Sequence, residues 1–127
     1  MQKTSIIDKI KNSPRNFFII FFSDDCQYCL RALNILKNNN LRFKSYDINK
    51  INGGMQYLLQ VLSRHSREIN FNPYHQTKPL IFLNGKFLGG MDDLIRYLNA
   101  KEQNNFNLGN NYLIGYNNRR SGINRRY

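Results

Sequence analysis

The run FFIIFF, Phe17 to Phe22, is apolar at all six positions. A strand with one face in water alternates apolar and polar residues. This one does not, which fits a strand buried on both faces. Six residues fall far short of the ~20 that a membrane-spanning helix needs. The run follows a basic start, but Ser23-Asp24-Asp25 is not a small-residue cleavage site. The stretch therefore reads as part of a mature soluble protein and not as a signal peptide.

The rest of the chain supplies partners for that strand. Residues 5–11 place Ile6, Ile7 and Ile10 on one face of a short helix, and Ser13-Pro14 stops it. After the strand, Cys29, Leu33 and Leu36 share a helical face, with a stop at Asn38-Asn39-Asn40. Residues 42–48 read as a second strand. Gly53-Gly54 breaks the chain before a helix over 55–68, with Leu58, Leu59 and Leu62 inward. Residues 69–76 read as a loop. PLIFL and KFLGG flank Asn84-Gly85, the strongest short signal for a hairpin. A last helix is predicted over 92–99. Strand, helix, strand demands a right-handed crossover and a parallel pair, and the hairpin is antiparallel. The predicted fold class is α/β: a four-stranded mixed sheet flanked by helices.

A length of 127 residues suits one domain with a tail. The domain is expected over 1–102. Residues 103–127 are Asn-rich, carry four arginines and no acid, and show no apolar period, so they read as a flexible basic tail. The formal charge of +11 suits polyanions and says nothing about fold. Two cysteines cannot build a disulfide framework, which points to a reducing, cytoplasmic compartment.

Those two cysteines, Cys26 and Cys29, stand two residues apart where the first strand turns into a helix. A thiol at a helix N-terminus meets unpaired amides and the positive end of the dipole, both of which favour the reactive thiolate. A second thiol one turn on can close a disulfide with it. Cys26 then reads as the exposed nucleophile and Cys29 as the buried resolving thiol. Half of a zinc site is the alternative, but His65 and His75 are not at metal-ligand spacing. Two inert buried cysteines are another.

CQYCLRALNIL resembles the glutaredoxin active site, usually Cys-Pro-Tyr-Cys followed by a helix. TKPLIFLNGKFLGGMDDL, from Thr77 to Leu94, resembles that family's Thr-Val-Pro, Ile-Phe-Ile-Asn-Gly and Gly-Gly-x-Asp-Asp-Leu block. The likeness covers residues 17–98. Thioredoxin itself fits worse, since its site carries a Trp beside the cysteines and this chain has none. The resemblance implies a thioredoxin-like fold and glutathione-dependent reduction of protein disulfides and glutathionylated proteins, an electron-transfer role in redox homeostasis. Cys26 and Cys29 would be catalytic. Glutathione would be the reducing co-substrate, held by Tyr28, Thr77, Lys78, Pro79, Gly90, Met91 and Asp92.

The resemblance also implies a cis bond between Lys78 and Pro79, where the residues alone fit a trans Pro opening a strand. Gly89-Gly90 lets the backbone approach a ligand. Asp92 and Asp93 can cap the last helix, and that helix start can also hold glutathione's γ-glutamyl end.

Two departures stand out. The family's cation three residues before the first cysteine is replaced by Ser23, followed by Asp24 and Asp25, which oppose a thiolate. Arg31, Lys78 or a residue of the central helix is left to compensate. Gln27 replaces the expected Pro, as in glutaredoxins that bridge a [2Fe–2S] cluster between two protomers with glutathione as co-ligand, so a cluster carrier is a second reading. A third makes the basic tail the working part, binding nucleic acid or an acidic partner, with Tyr112, Tyr116 and Tyr127 near its arginines. His75 is expected as a plain surface-loop residue.

Deleting residues 103–127 is expected to leave a folded domain that still transfers thiols. Any affinity for polyanions should fall and lose salt sensitivity, because counterion release scales with the phosphates neutralised. Circular dichroism, mixed-disulfide reduction and salt-dependent polyanion binding of the truncated chain check this. Aggregation or loss of reduction would make the tail part of the fold.

Overall fold

The sheet is built around β1 (Phe17–Phe22) in a computed structural model that describes residues 5–107, with side chains through 102. β1 pairs in parallel with β2 (Arg42–Asp47), in a register that sets Phe17 beside Arg42 and Phe21 beside Tyr46. On its other edge β1 meets β3 (Leu80–Leu83) antiparallel, with Ile20 beside Ile81, and β3 meets β4 (Lys86–Gly89) antiparallel. The order is β2-β1-β3-β4, so β1 and β3 are the inner strands. Their central position accounts for the apolar runs, since neither has an edge or a face in water.

Among the described residues, six helical segments flank or join the strands. They are α1 (Ile6–Lys11), α2 (Gln27–Asn38), a 3₁₀ turn (Ile48–Lys50), α3 (Gly54–Arg64), α4 (Ser66–Ile69) and α5 (Met91–Asn107). Ser5 caps α1 by accepting the Asp8 N–H at 3.1 Å. The β3–β4 hairpin turns through Asn84 (φ 55°) and Gly85 (φ 79°), the two positive values that an Asn-Gly turn supplies.

One sheet face contributes Ile19, Phe21, Leu80 and Phe82 to a core shared with Ile7 and Ile10 of α1, Leu58 and Leu62 of α3, and Ile69 of α4. Phe21 stands edge-on to Phe82 (5.9 Å, 82°) and stacks on Tyr46 (5.5 Å, 27°). The alternate residues Phe18, Ile20, Ile81 and Leu83 point to the opposite face and are buried too. The buried residues left to cover them are Cys29, Ala32 and Leu36 of α2, with Met91 and Leu94 at the start of α5. Burying one flank of Cys29 in this second layer is what sets the two thiols apart.

The predicted α/β class, the parallel pair and the hairpin are present, and Lys78–Pro79 is cis. Two helices differ from expectation. The helix predicted over 55–68 breaks at His65 into α3 and α4, and Asn70 in the left-handed region ends the second piece. The helix predicted over 92–99 runs from Met91 to Asn107. Its apolar period thins after Leu98, but Ala100, Lys101, Glu102 and Gln103 are strong helix formers and no Gly or Pro intervenes. The sheet and both cysteines belong to a unit that ends at Leu94. In the second unit, Lys101 lies over the Tyr97 ring at 5.5 Å. Most of the basic tail, residues 108–127, lies outside the described residues. No helix among the described residues is long and apolar enough to cross a membrane.

Phe82 is fully buried and packs against both Phe21 and Phe87. Phe82→Ala should destabilise the fold by about 3–5 kcal/mol, the range for emptying an aromatic core site. Urea unfolding measures this, and a loss below about 1 kcal/mol would show that the site collapses or was never tightly packed.

Candidate active site at the cysteine corner

β1 ends at Phe22, and after four intervening residues α2 begins at Gln27, with Cys26 as its N-cap. Cys26 has extended backbone angles (φ −112°, ψ 110°), and its Sγ accepts the Cys29 N–H at 3.1 Å. That is the geometry by which a Ser or Asp caps a helix, with sulfur in place of oxygen. The same amide and the helix dipole favour negative charge on that sulfur. Gln27 opens α2 and is exposed, so the helix starts here without a Pro.

Cys26 is half-buried and Cys29 fully buried, and both are free thiols. Burial pushes the Cys29 thiol up to about 12, and its hydrogen bond to Cys26 pushes in the same direction. The corner thus holds two thiols one helical turn apart in unequal surroundings. Among the described residues no group of three or more His, Cys, Asp or Glu is placed to hold a metal ion.

Of the two acids in front of Cys26, Asp25 is paired. Ser23 is fully buried, and its Oγ donates to Asp25 Oδ1 at 2.6 Å while accepting from Lys78 Nζ at 2.8 Å. Lys78 Nζ also lies 3.6 Å from Asp25 Oδ1. The Ser23 hydrogen bond, and after it the Lys78 charge, hold the Asp25 carboxyl below the usual carboxylate range. Of the cations left open to offset the acids, Lys78 is the one seated here. The link is invisible in sequence because 55 residues separate the partners. It arises because β1 and β3 are neighbours, which brings the residue before Pro79 beside the end of β1.

A cleft of about 440 Å³ opens beside the corner. It is lined by all seven residues expected to hold glutathione: Tyr28, Thr77, Lys78, Pro79, Gly90, Met91 and Asp92. Tyr28 and Lys78 connect it to the cysteine corner. His75 and Asp93 line it as well. His75 is therefore no plain surface-loop residue. Its Nε2 lies 3.0 Å from the Thr77 carbonyl, and its ring stands edge-on to Phe87 at 5.0 Å. A carbonyl only accepts, so this contact requires the proton on Nε2.

At the other end of the cleft, Asp93 accepts the Gly90 N–H at 2.9 Å and closes the start of α5. Gly89 (φ 135°) makes room, since a Cβ there would strike the Asp93 carboxyl. Of the two acids expected as caps, Asp93 is the one that caps. Asp92 is exposed on the cleft rim.

The family model described as Glutaredoxin matches residues 18–88. A "Probable glutaredoxin" of Acanthamoeba polyphaga mimivirus is 52% identical over 96 residues, 76% of this chain and 91% of that protein. "Glutaredoxin-2, mitochondrial" of Bos taurus is 29% identical over 94 residues, 73% of this chain and 55% of the relative. Among solved structures, the dithiolic glutaredoxin 2-C-Grx1 of Trypanosoma brucei brucei superposes with a TM-score of 0.60 at 27% identity, covering 79% of this chain and 92% of that one. A buckwheat glutaredoxin–glutathione complex shares the fold, with a TM-score of 0.57 at 19% identity over 76% of this chain and 77% of that one. With a thioredoxin-like sheet, a Cys-x-x-Cys at a helix start and these relatives, the chain belongs to the glutaredoxin family of thiol–disulfide oxidoreductases.

Proposed function

We propose that the chain uses glutathione to reduce protein disulfides and protein–glutathione mixed disulfides, with Cys26 as nucleophile and Cys29 as resolving thiol. The observation that carries this reading is the convergence of seven residues, from three separate stretches of the chain, on one cleft beside the more exposed thiol. Glutathione's γ-glutamyl end carries a carboxylate for the amides at the start of α5 and an ammonium for Asp92. Its central cysteine then lies along the Lys78–Pro79 edge, within reach of Cys26.

The steps follow from the unequal thiols. The Cys26 thiolate attacks a mixed disulfide, forms a new S–S bond and expels the other sulfur as a thiolate, which takes a proton. Free glutathione then attacks the Cys26–glutathione bond, releasing glutathione disulfide and restoring Cys26. In the dithiol route, Cys29 gives up its proton, attacks the Cys26 sulfur and displaces the bound thiol. Two glutathiones later reduce the resulting disulfide. Cys29 is raised partly by its hydrogen bond to Cys26 and by the charge there. Both disappear once Cys26 is in a mixed disulfide, so Cys29 becomes easier to ionise when it is needed.

Two cysteines, too few for a disulfide framework, suit a reducing compartment, the cytoplasm being the simplest. In the cluster-carrier alternative, Cys26 would be the single accessible protein ligand per chain, so two chains and outside thiols would be needed. A brown chromophore after anaerobic purification would favour it. The domain is taken as residues 1–102, with the basic tail as an appendage for polyanions.

Cys26→Ser should abolish reduction of both substrates. Cys29→Ser should keep reduction of a glutathione mixed disulfide and lose dithiol reduction, both followed in a glutathione-coupled assay. If Cys29→Ser were the inactive variant, the roles would be reversed.

With its thiol pushed up to about 12, chiefly by burial, Cys29 stays almost wholly protonated at pH 8. Iodoacetamide at pH 8 should therefore modify one thiol rapidly, with the second reacting after unfolding in urea. Mass spectrometry of a time course would show this, and equal rapid labelling of both would contradict the buried, protonated state.

A further inference from the structure

Ser23 and Lys78 form a two-donor hook. The Ser23 hydroxyl and the Lys78 ammonium both lie against a single carboxylate oxygen, Oδ1 of Asp25, at 2.6 and 3.6 Å, and they bond each other at 2.8 Å. The two halves differ in mobility. Ser23 is fully buried and so fixed in place, and its backbone carbonyl accepts the Cys26 N–H at 3.3 Å. The Asp25 side chain is 76% exposed and the Lys78 side chain 32%. The Asp25 carboxylate is held by polar contacts and not by burial. A rigid, desolvated donor beside a cation is a recognition element for carboxylates. The exposed acid held in it can be exchanged at small cost, because an exposed ion pair contributes little.

We infer that Asp25 is an internal stand-in for a substrate carboxylate: it occupies the Ser23–Lys78 hook and yields it to the glycine carboxylate of a glutathionyl group bound beside Cys26. The inference rests on the glutathione reading and adds a specificity determinant to it. The placement follows from chain direction. With the γ-glutamyl end at the start of α5 and the cysteine along Lys78–Pro79, the glycine end of an extended tripeptide lies on the far side of that edge from α5. Lys78 lines the cleft and its ammonium sits on Ser23 just past the end of β1, so the hook adjoins the cleft. Lys78 thus serves twice, by its backbone along the tripeptide and by its ammonium at the tripeptide's end. Asp25 lowers affinity for anionic substrates by competing for that ammonium, and it keeps the Lys78 charge and the buried Ser23 hydroxyl satisfied between turnovers.

The test compares two peptide mixed disulfides, one carrying glutathione and the other glutathione glycyl ethyl ester, both reduced by the full chain. Ester formation removes the one charge the hook would read. Wild type should prefer the free acid in kcat/KM by roughly threefold to tenfold, the scale of a partly exposed charge-assisted contact. Asp25→Asn should raise the ratio of kcat/KM for the free acid to that for the ester by a few-fold, a ratio from which any general effect on Cys26 cancels. Lys78→Gln should erase the preference, Lys78→Arg should keep it, and Asp25→Asn added to Lys78→Gln should have no further effect on the ratio, since the two act through one contact.

The inference is overturned if Asp25→Asn leaves that ratio unchanged, shifting both substrates alike or neither, or keeps its effect on it without Lys78. Equal use of acid and ester by wild type overturns it as well. Any of these leaves the glutathione reading intact. A wild type that reduces neither mixed disulfide, yet reduces a small protein disulfide with another thiol, sinks the glutathione reading and this inference with it.

Discussion

Burial of β1 on both faces is the constraint from which the rest of the structure follows. An inner strand with Ile19 and Phe21 on one side and Phe18 and Ile20 on the other must sit between two helical layers. It must also pair on both edges, since its backbone groups have no water to turn to. β2 and β3 supply the edges. One layer is α1, α3 and α4, and the other is drawn from α2 and the start of α5. Because β1 is inner, its C-terminal end opens directly into the site. Ser23 comes one residue after the strand and is still buried, and Cys26 begins the helix that covers the sheet.

The chemistry of the corner grows out of that placement. A helix start at the end of an inner strand has one flank in the core and one toward solvent. Cys26 falls on the half-open flank and Cys29 on the closed one. Burial is what chiefly raises the Cys29 thiol, and its contact with Cys26 acts in the same direction. The charges around Cys26 are arranged to cancel locally. Asp25 is paired through Ser23 with Lys78, so one of the two acids in front of Cys26 is offset by a cation from the segment that leads into β3. The family's usual cation and the Ser23–Lys78 pair are thus two ways to place positive charge at the same corner. The second makes the charge depend on β1 and β3 being neighbours.

Much of this was written in local pattern. FFIIFF announced a doubly buried strand because alternation was missing, Asn84-Gly85 announced the hairpin because both residues accept positive φ, and Cys26-x-x-Cys29 announced unequal thiols because one helical turn separates them. Those inferences depend on residues within a few positions of one another, where backbone geometry is set by the chain itself. The break at His65 and the length of α5 are not written in apolar period: no Gly or Pro marks the end of α3, and the far part of α5 rests on helix propensity with little period. What the tertiary structure alone decided was which distant groups share a site. It set the Lys78 ammonium on Ser23 and Asp25, His75 on the wall of the cleft, and Asp93, not Asp92, as the cap beneath Gly90. Hydrogen bonds between side chains need partners within about 3 Å. Only the order β2-β1-β3-β4 brings residues 23 and 78 that close, a relation that no spacing along the chain encodes.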